Sequence, residues 1–409
     1  MTHYPVFNNG RYEREKNLQS GDVLERVVVT GIGIVSAIGM GADRFWDNAV
    51  KGTSGITNVE RFDTSYYRSA FGGEIKDFIP YVKRIDPQDY GLAAQYAASA
   101  ARMAYEDAAA DGIPDINTAG VFMGTAMGDC DEIMHDVSLG IMRFPAYKIP
   151  EAVSAEVGTE GDVQILPNAC TAGNYGIIAA YEKIKNNKLR YAFAGGSDMM
   201  LESEFLGFSK LRSLAPSDCT PFDKNRTGMI IGEGAAVLFL EGLTSALARG
   251  ARVYAEVIGW GASCDAYSMA MPIPDGSGLE RAMSAAVRDA GIKYKDVDYI
   301  CAHGTGTRTN DSAEAGVINR LFKRRLPVSS VKSMIGHAMG AASAIEAAVC
   351  CMAVKKDVIP PTTGFSTPDA ECDIDCVPNE ARHTVVRIAA NNASAFGGNN
   401  TCVLFGKCE

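Results

Sequence analysis

Residues 162–187 read DVQILPNACTAGNYGIIAAYEKIKNN. An apolar run (Val163, Ile165, Leu166) gives way to Pro167 and Asn168, and a helix-like stretch begins near Ile177. Strand, tight turn and helix in that order are the repeating unit of an α/β fold. At the joint, among small residues, stands Cys170. A free thiol there is either a small buried hydrophobe or a reactive group. A helix start offers partial positive charge and free N–H groups, which favour a thiolate and cradle a developing anion. Such a terminus lowers a thiol pKa by at most about 1.5 units from about 8.5. On that arithmetic Cys170 is expected near neutrality, nucleophilic without a dedicated base.

The alternation recurs along the chain. RVVVT (26–30) reads as a buried strand closed by GIGIVSAIG, and the alanine-rich 91–111 as a helix. Strand-like runs follow at 120–128, 190–200, 235–242, 252–261, 298–307, 327–336 and 386–406. Fold class is therefore α/β with buried sheets. With 409 residues, 47% of them hydrophobic, the chain exceeds one small core, so two domains or a duplicated one are expected. Strands ending in glycine-rich turns occur in both halves, and no low-complexity linker parts them. The GIG of residues 31–33 is no dinucleotide fingerprint, because the next glycine of the pattern falls at Gly39 and no acidic residue stands where one is required.

Net charge is −10 without a long basic run, which argues against nucleic acid or an anionic membrane as main partner. The 11 cysteines are scattered with no CxxC pair. Cys372 and Cys376 have no histidine near them, so no metal site is expected, and many free thiols fit a reducing cytoplasm. Residues 1–24 form a polar leader unlike a secretory signal, and no window approaches about 18 apolar residues, so no membrane span is expected.

Histidines narrow the chemistry. There are 5, and two lie in glycine-rich turns after strand-like runs: His303 in CAHGTGT and His337 in VKSMIGHAMGAA. Loops at strand ends are where α/β folds place chemistry. One thiol at a helix start and two imidazoles suit a reaction in which the thiolate accepts an acyl group while the imidazoles stabilise an enolate.

The stretches VVVTGIGIVSAIG, PNACTAG, AFAGGSD, CTPFDKNRTGMIIGEGAAVLFLE, AHGTGTRTND, VKSMIGHAMGAASAIE and ASAFGGNN, in this order from Arg26 to Phe405, resemble the elongating β-ketoacyl-acyl-carrier-protein synthases, the type II fatty-acid and polyketide ketosynthases of the thiolase superfamily. That resemblance implies a thiolase-like fold of two similar halves, 25–256 and 257–409, forming a layered αβαβα core. It implies Cys170 as acyl-accepting nucleophile, and His303 and His337 as the pair that handles malonyl decarboxylation and the enolate. Lys332 matches the family lysine and Glu346 its acidic partner, readable equally as a buried structural ion pair. Thr305 and Thr307 match threonines that bind the pantetheine arm. Phe396 matches the gate of the acyl pocket, its N–H joining that of Cys170 in an oxyanion hole. Met127, Phe208 and Ser394 fall at substrate-lining positions, Asp311 and Glu314 at structural supports, and Arg212 near the carrier-docking surface. No bound cofactor or metal is implied, only the 4'-phosphopantetheine arm of an acyl-carrier protein. The implied assembly is a homodimer, or a heterodimer with a homologous chain-length-factor subunit.

Three features depart from the family or sort within it. Ser394 stands where the C-terminal loop usually carries a first phenylalanine. The segment between Pro150 and Cys170 looks short for a fatty-acid synthase. The HGTGT variant is common in polyketide ketosynthases. A thiolase would add a second catalytic cysteine in a glycine-bounded turn, whereas Cys402 lies in an apolar strand. The initiating synthases use Cys, His and Asn, where this chain has a second histidine. A non-elongating binding subunit generally lacks the nucleophile, which is present here.

Overall fold

The computed structural model describes residues 24–130, 145–323 and 325–409. Residues 1–23 of the leader, and His3 and His135, lie outside them. One mixed sheet carries the fold, its strands labelled here in chain order: β1 Val27–Ser36, β2 Gly120–Thr125, β3 Val163–Pro167, β4 Tyr191–Asp198, β5 Gly234–Gly242, β6 Ala255–Cys264, β7 Tyr299–Cys301, β8 Val328–Ser329, β9 Ile388–Ser394 and β10 Asn399–Gly406. Across the sheet the order is β3-β2-β4-β5-β1, then β6-β10-β9-β7-β8. Each set of five thus runs third, second, fourth, fifth, first, with the first strands meeting antiparallel, Val27 opposite Val257. In both sets the second strand pairs parallel with the third and fourth, and the fifth pairs antiparallel with the fourth and first. Even the register shift repeats, between Val29 and Gly31 in one set and between Val257 and Gly259 in the other. The duplication that self-similarity of sequence did not reveal is plain in the topology.

The helices that matter here are α1 Leu92–Ala109, α2 Lys148–Val157, α3 Ala172–Lys185, α4 Glu202–Lys210, α5 Ser277–Asp289, α6 Arg308–Phe322, α7 Lys332–Ile335 and α8 Met339–Lys356. Helices α3 and α8 follow the third strand of each set and pack on each other between the sets, α8 touching β4 and β5 on one side and β9 and β10 on the other. Every residue of α8 from Met339 to Val354 is buried, as a helix apolar on all sides must be. Helix α1 covers the outer face of β1, β5 and β4, and α5 the outer face of β6, β10 and β9. The layers are αβαβα, as the fold class anticipated.

Several element readings change: 298–307 is strand only over Tyr299–Cys301, and 386–406 holds two antiparallel strands, β9 and β10. The first strand does not stop at Thr30 but runs on through the glycines to Ser36. A Cβ on Gly31 or Gly33 would stand 2.1 and 1.8 Å from the carbonyl oxygens of Ala104 and Ala100, so the glycines let α1 lie directly on the strand. Gly259 and Gly261 do the same for α5, where a Cβ on Gly261 would meet the Ala282 carbonyl at 2.1 Å. A further change is at 327–336, where only Val328–Ser329 is strand and Lys332–Ile335 is a short helix.

Candidate active site

Cys170 follows β3 and its turn, two residues before α3, and is 9% exposed. His303 lies past β7, and His337 between α7 and α8. Loops of both strand sets therefore converge. Their rings stand edge to face with centroids 5.3 Å apart, and the thiol and one nitrogen of each ring all lie within 4.8 Å of one another.

What surrounds the rings fixes their tautomers. The Met339 N–H donates to His337 Nδ1 at 3.2 Å, and Lys332 Nζ lies 3.4 Å from His303 Nδ1. An ammonium can only donate, so both Nδ1 atoms accept and both rings carry their hydrogen on Nε2. Burial pushes both imidazoles well below the ordinary histidine range, with the Lys332 charge adding to the effect. The result is two neutral rings offering N–H donors. Three ligand-type atoms at this spacing also match a catalytic zinc site in number. A metal-holding histidine, however, donates through its other nitrogen, whereas here that nitrogen accepts. The site is built to donate to an oxygen.

Lys332 is 1% exposed; it donates to the His303 carbonyl at 2.6 Å and to Glu346. Burial raises the Glu346 carboxyl to about 7 against the pull of Lys332. Glu314 accepts the N–H groups of His303 and Gly304, each at 2.9 Å, and Asp311 those of Phe222 at 2.9 Å and Gly306 at 3.3 Å. Both carboxylates shape the His303 loop from behind, and burial raises both.

The thiol corrects an expectation. Burial pushes Cys170 up to about 12, outweighing Lys332, so the resting group is a thiol rather than a near-neutral thiolate. The helix-start argument left out the desolvation that comes with a closed site.

Two cavities meet at Cys170. One, of about 330 Å³, is lined by both histidines, Thr305, Thr307, Ser394 and Phe396. The other, of about 500 Å³, is lined by Met127, Met339, Leu211, Phe208 and Phe396. The Phe208 and Phe396 rings, 5.5 Å apart, line both and stand where they join. Met127 and Phe396 are 38% and 39% exposed. The Ser394 hydroxyl donates to Asn400 Oδ1 at 2.7 Å, so it takes up a hydrogen bond where an aromatic ring would take up volume. The Thr305 and Thr307 hydroxyls pair at 2.9 Å. Beyond Thr307 a groove of about 400 Å³ is lined by Arg68, Arg212, Arg226 and Arg308. Cys402 lies inside β10 and is buried, away from any turn.

The description "Beta-ketoacyl synthase, N-terminal domain" matches residues 24–246, and "Beta-ketoacyl synthase, C-terminal domain" matches 254–366. The chain belongs to the β-ketoacyl synthase family. It is 38% identical to the 3-oxoacyl-[acyl-carrier-protein] synthase 2 of Staphylococcus aureus strain N315, covering 94% of this chain and 99% of that one. The Synechocystis enzyme of the same name is 35% identical over 94% of this chain and 99% of its own. Among solved structures, the ishigamide ketosynthase/chain length factor superposes with a TM-score of 0.90 at 36% identity, covering 94% of this chain and all of that one. A type II polyketide ketosynthase in complex with its acyl-carrier protein gives 0.85 at 29%, with the same coverage.

All the site residues named from sequence lie in this β-ketoacyl synthase's paired cavities or directly behind them, save Arg212, which lines the basic groove. Sequence reasoning passed over Leu211, Met271 and Met339, which line the cavities, and Asp198, which holds two of the surrounding loops. Ordinary apolar side chains carry no signal of their own, and AFAGGSD points to the family without singling out its aspartate.

Proposed function

We propose that this synthase extends a Cys170-bound acyl chain by two carbons in a decarboxylative Claisen condensation. Cys170 Sγ attacks the carbonyl of an acyl-carrier thioester, and the carrier thiol leaves with the proton. A malonyl group then enters on a second phosphopantetheine arm, past Thr305 and Thr307. Its bond to the carboxylate breaks, carbon dioxide departs, and the electron pair forms an enolate whose oxygen accepts from the Nε2–H groups of His303 and His337. The enolate carbon attacks the Cys170 thioester, whose oxyanion takes the N–H groups of Cys170 and Phe396. Collapse expels the Cys170 thiolate and releases the 3-oxoacyl carrier, and the sulfur takes up one proton from water to return to the thiol. No resident cofactor takes part.

The observation that carries this reading is a buried thiol and one nitrogen from each of two buried imidazoles within 4.8 Å of one another, each ring having its Nδ1 against a donor. Two finer points belong to the same reading. The HGTGT variant and the 0.90 superposition on a polyketide ketosynthase/chain-length-factor structure favour polyketide-type or specialised acyl synthesis, with this chain as a homodimer or as the nucleophile-bearing half of a heterodimer. The two structural halves, expected to divide at 256/257, divide instead before Ala255, where β6 opens the second set of strands, and the enzyme is read as cytoplasmic; among the described residues no helix is long and apolar enough to cross a membrane.

Intact-protein mass spectrometry tests the reading. Wild type and Cys170→Ala are incubated with a ladder of acyl-carrier thioesters, then with malonyl carrier. An acyl-sized gain on wild type alone, lost again on adding malonyl carrier, is the expected result. No gain on wild type with any chain, alone or with a co-expressed homologue, would overturn it.

A further inference from the structure

We propose that Asp198 is a positioning residue that ties the wall of the acyl cavity to His337, so that the seating of the chain and the hold on the enolate are set together. The inference rests on the condensing reading above and deepens it.

Asp198 ends β4 and is fully buried. Its Oδ1 accepts the Thr125 hydroxyl at 2.7 Å, the Met127 N–H at 2.9 Å and the Gly128 N–H at 2.8 Å. Its Oδ2 accepts the Ala126 N–H at 2.8 Å and the Gly340 N–H at 2.7 Å. Four of these donors belong to the end of β2 and the loop after it, which presents Met127 to the 500 Å³ cavity. The fifth opens α8 beside Met339, which lines the same cavity and whose N–H sets the His337 tautomer. One carboxylate oxygen thus bridges the two segments. They touch there without slack, since a Cβ on Gly340 would stand 2.6 Å from both Ala126 N and Asp198 Oδ2.

A carboxylate that only braced a turn would need the loop donors alone. The fifth donor makes it a link. If a chain pushes Met127 or Met339, the displacement reaches the N–H that orients His337, and misplacement of about 1 Å near reacting atoms costs up to about a hundredfold in rate. The charge of Asp198 also bears on the nucleophile. Among the charged groups around Cys170, Lys332 pulls the thiol down while Asp198 and Glu204 push it up, and the two imidazoles are neutral.

Asp198→Asn keeps the shape but turns an amide NH₂ against N–H donors and removes the charge. Three readouts decide the matter: the acyl-loading ladder, the condensation rate per loaded enzyme, and the pH midpoint for iodoacetamide alkylation of Cys170. We expect the best-loaded chain length to shift or broaden, condensation to fall between about tenfold and a hundredfold, and the alkylation midpoint to move to lower pH. A wild-type ladder together with a wild-type midpoint overturns the proposal, as does a rate loss that merely tracks the loss of folded protein. If Asp198→Asn does not fold, Gly340→Ala probes the link from the other side with the carboxylate intact. It must alter the ladder and the condensation rate together; a change in neither, or in one alone, overturns the coupling. Alkylation needs no acyl substrate. A wild type that failed to load would therefore sink the condensing reading, while the Asp198→Asn midpoint would still decide the electrostatic half of the proposal.

Discussion

The two imidazoles are held neutral by their surroundings, and this has a measurable thermodynamic side. Their folded pKa values lie below the unfolded value, which is about 6.5. A group with a depressed folded pKa contributes stability that is present above the unfolded pKa and lost as pH falls towards the folded one. Below pH about 6.5 the unfolded chain takes up protons that the folded chain refuses, so stability drops. Thermal melting between pH 8 and 5 should show the fall, and His303→Asn should show a shallower one; parallel curves would mean the rings are not desolvated. Lys332→Ala strands Glu346 without its cation. A buried pair broken on one side costs about 3–5 kcal/mol, so urea unfolding of Lys332→Ala should show a loss of that order and Lys332→Ala/Glu346→Ala a smaller one. At this scale the sequence was informative about identity but not about protonation. Cys170, His303 and His337 stood out by their turns, while the direction of the Cys170 shift depended on burial, which no motif states.

Elements tell a different story. Helix α8 escapes the sequence reading, although MGAASAIEAAVCCMAV shows no polar face and a helix of that kind has to be enclosed. The GIG at 31–33 was legible as a non-nucleotide motif, yet its purpose needed the helix that lies on it, and its counterpart GWG at 259–261 has an indole between the glycines that hides the repeat. Ends of elements were the weakest part. At 327–336 the apolar pattern continues through Lys332 because that lysine is itself buried by an ion pair, which mimics a strand. Gly33→Ala should cost about 1–3 kcal/mol or more, because α1 must back away from the strand. Gly207→Ala in α4, where a Cβ meets nothing within 4 Å, should be neutral or stabilise by about 0.5–1 kcal/mol. Denaturant midpoints of the two variants test the contrast. Equal effects would remove the close-packing explanation for the glycines.

Across the whole molecule, charge and shape are divided. The net charge of −10 sits beside a groove at the mouth of the reaction cavity lined by Arg68, Arg212 and Arg308, with Arg226 buried behind them on Asp369 and Asp311. An acidic carrier protein would be drawn to Arg68, Arg212 and Arg308 against the net negative charge of the chain. Arg212→Glu should raise KM for acyl-carrier substrate about tenfold and leave alkylation of Cys170 unchanged, and the wild-type KM should climb with salt. A KM indifferent to both would place docking elsewhere. The resemblance points to Arg212 for docking and to Phe396 for a gate, but the form of the groove and of the two cavities is not visible in the sequence, because their walls are drawn from segments far apart in the chain.

The seam between β1 and β6 has one more consequence, and it concerns synthesis. A ribosome completes the strand leading to Cys170 well before it makes either His303 or His337. A nascent, truncated or half-unfolded chain therefore carries a cysteine with no donors for an enolate. The reaction switches on only when the later strands have closed against the earlier ones. Catalysis in this protein is its own certificate of complete folding.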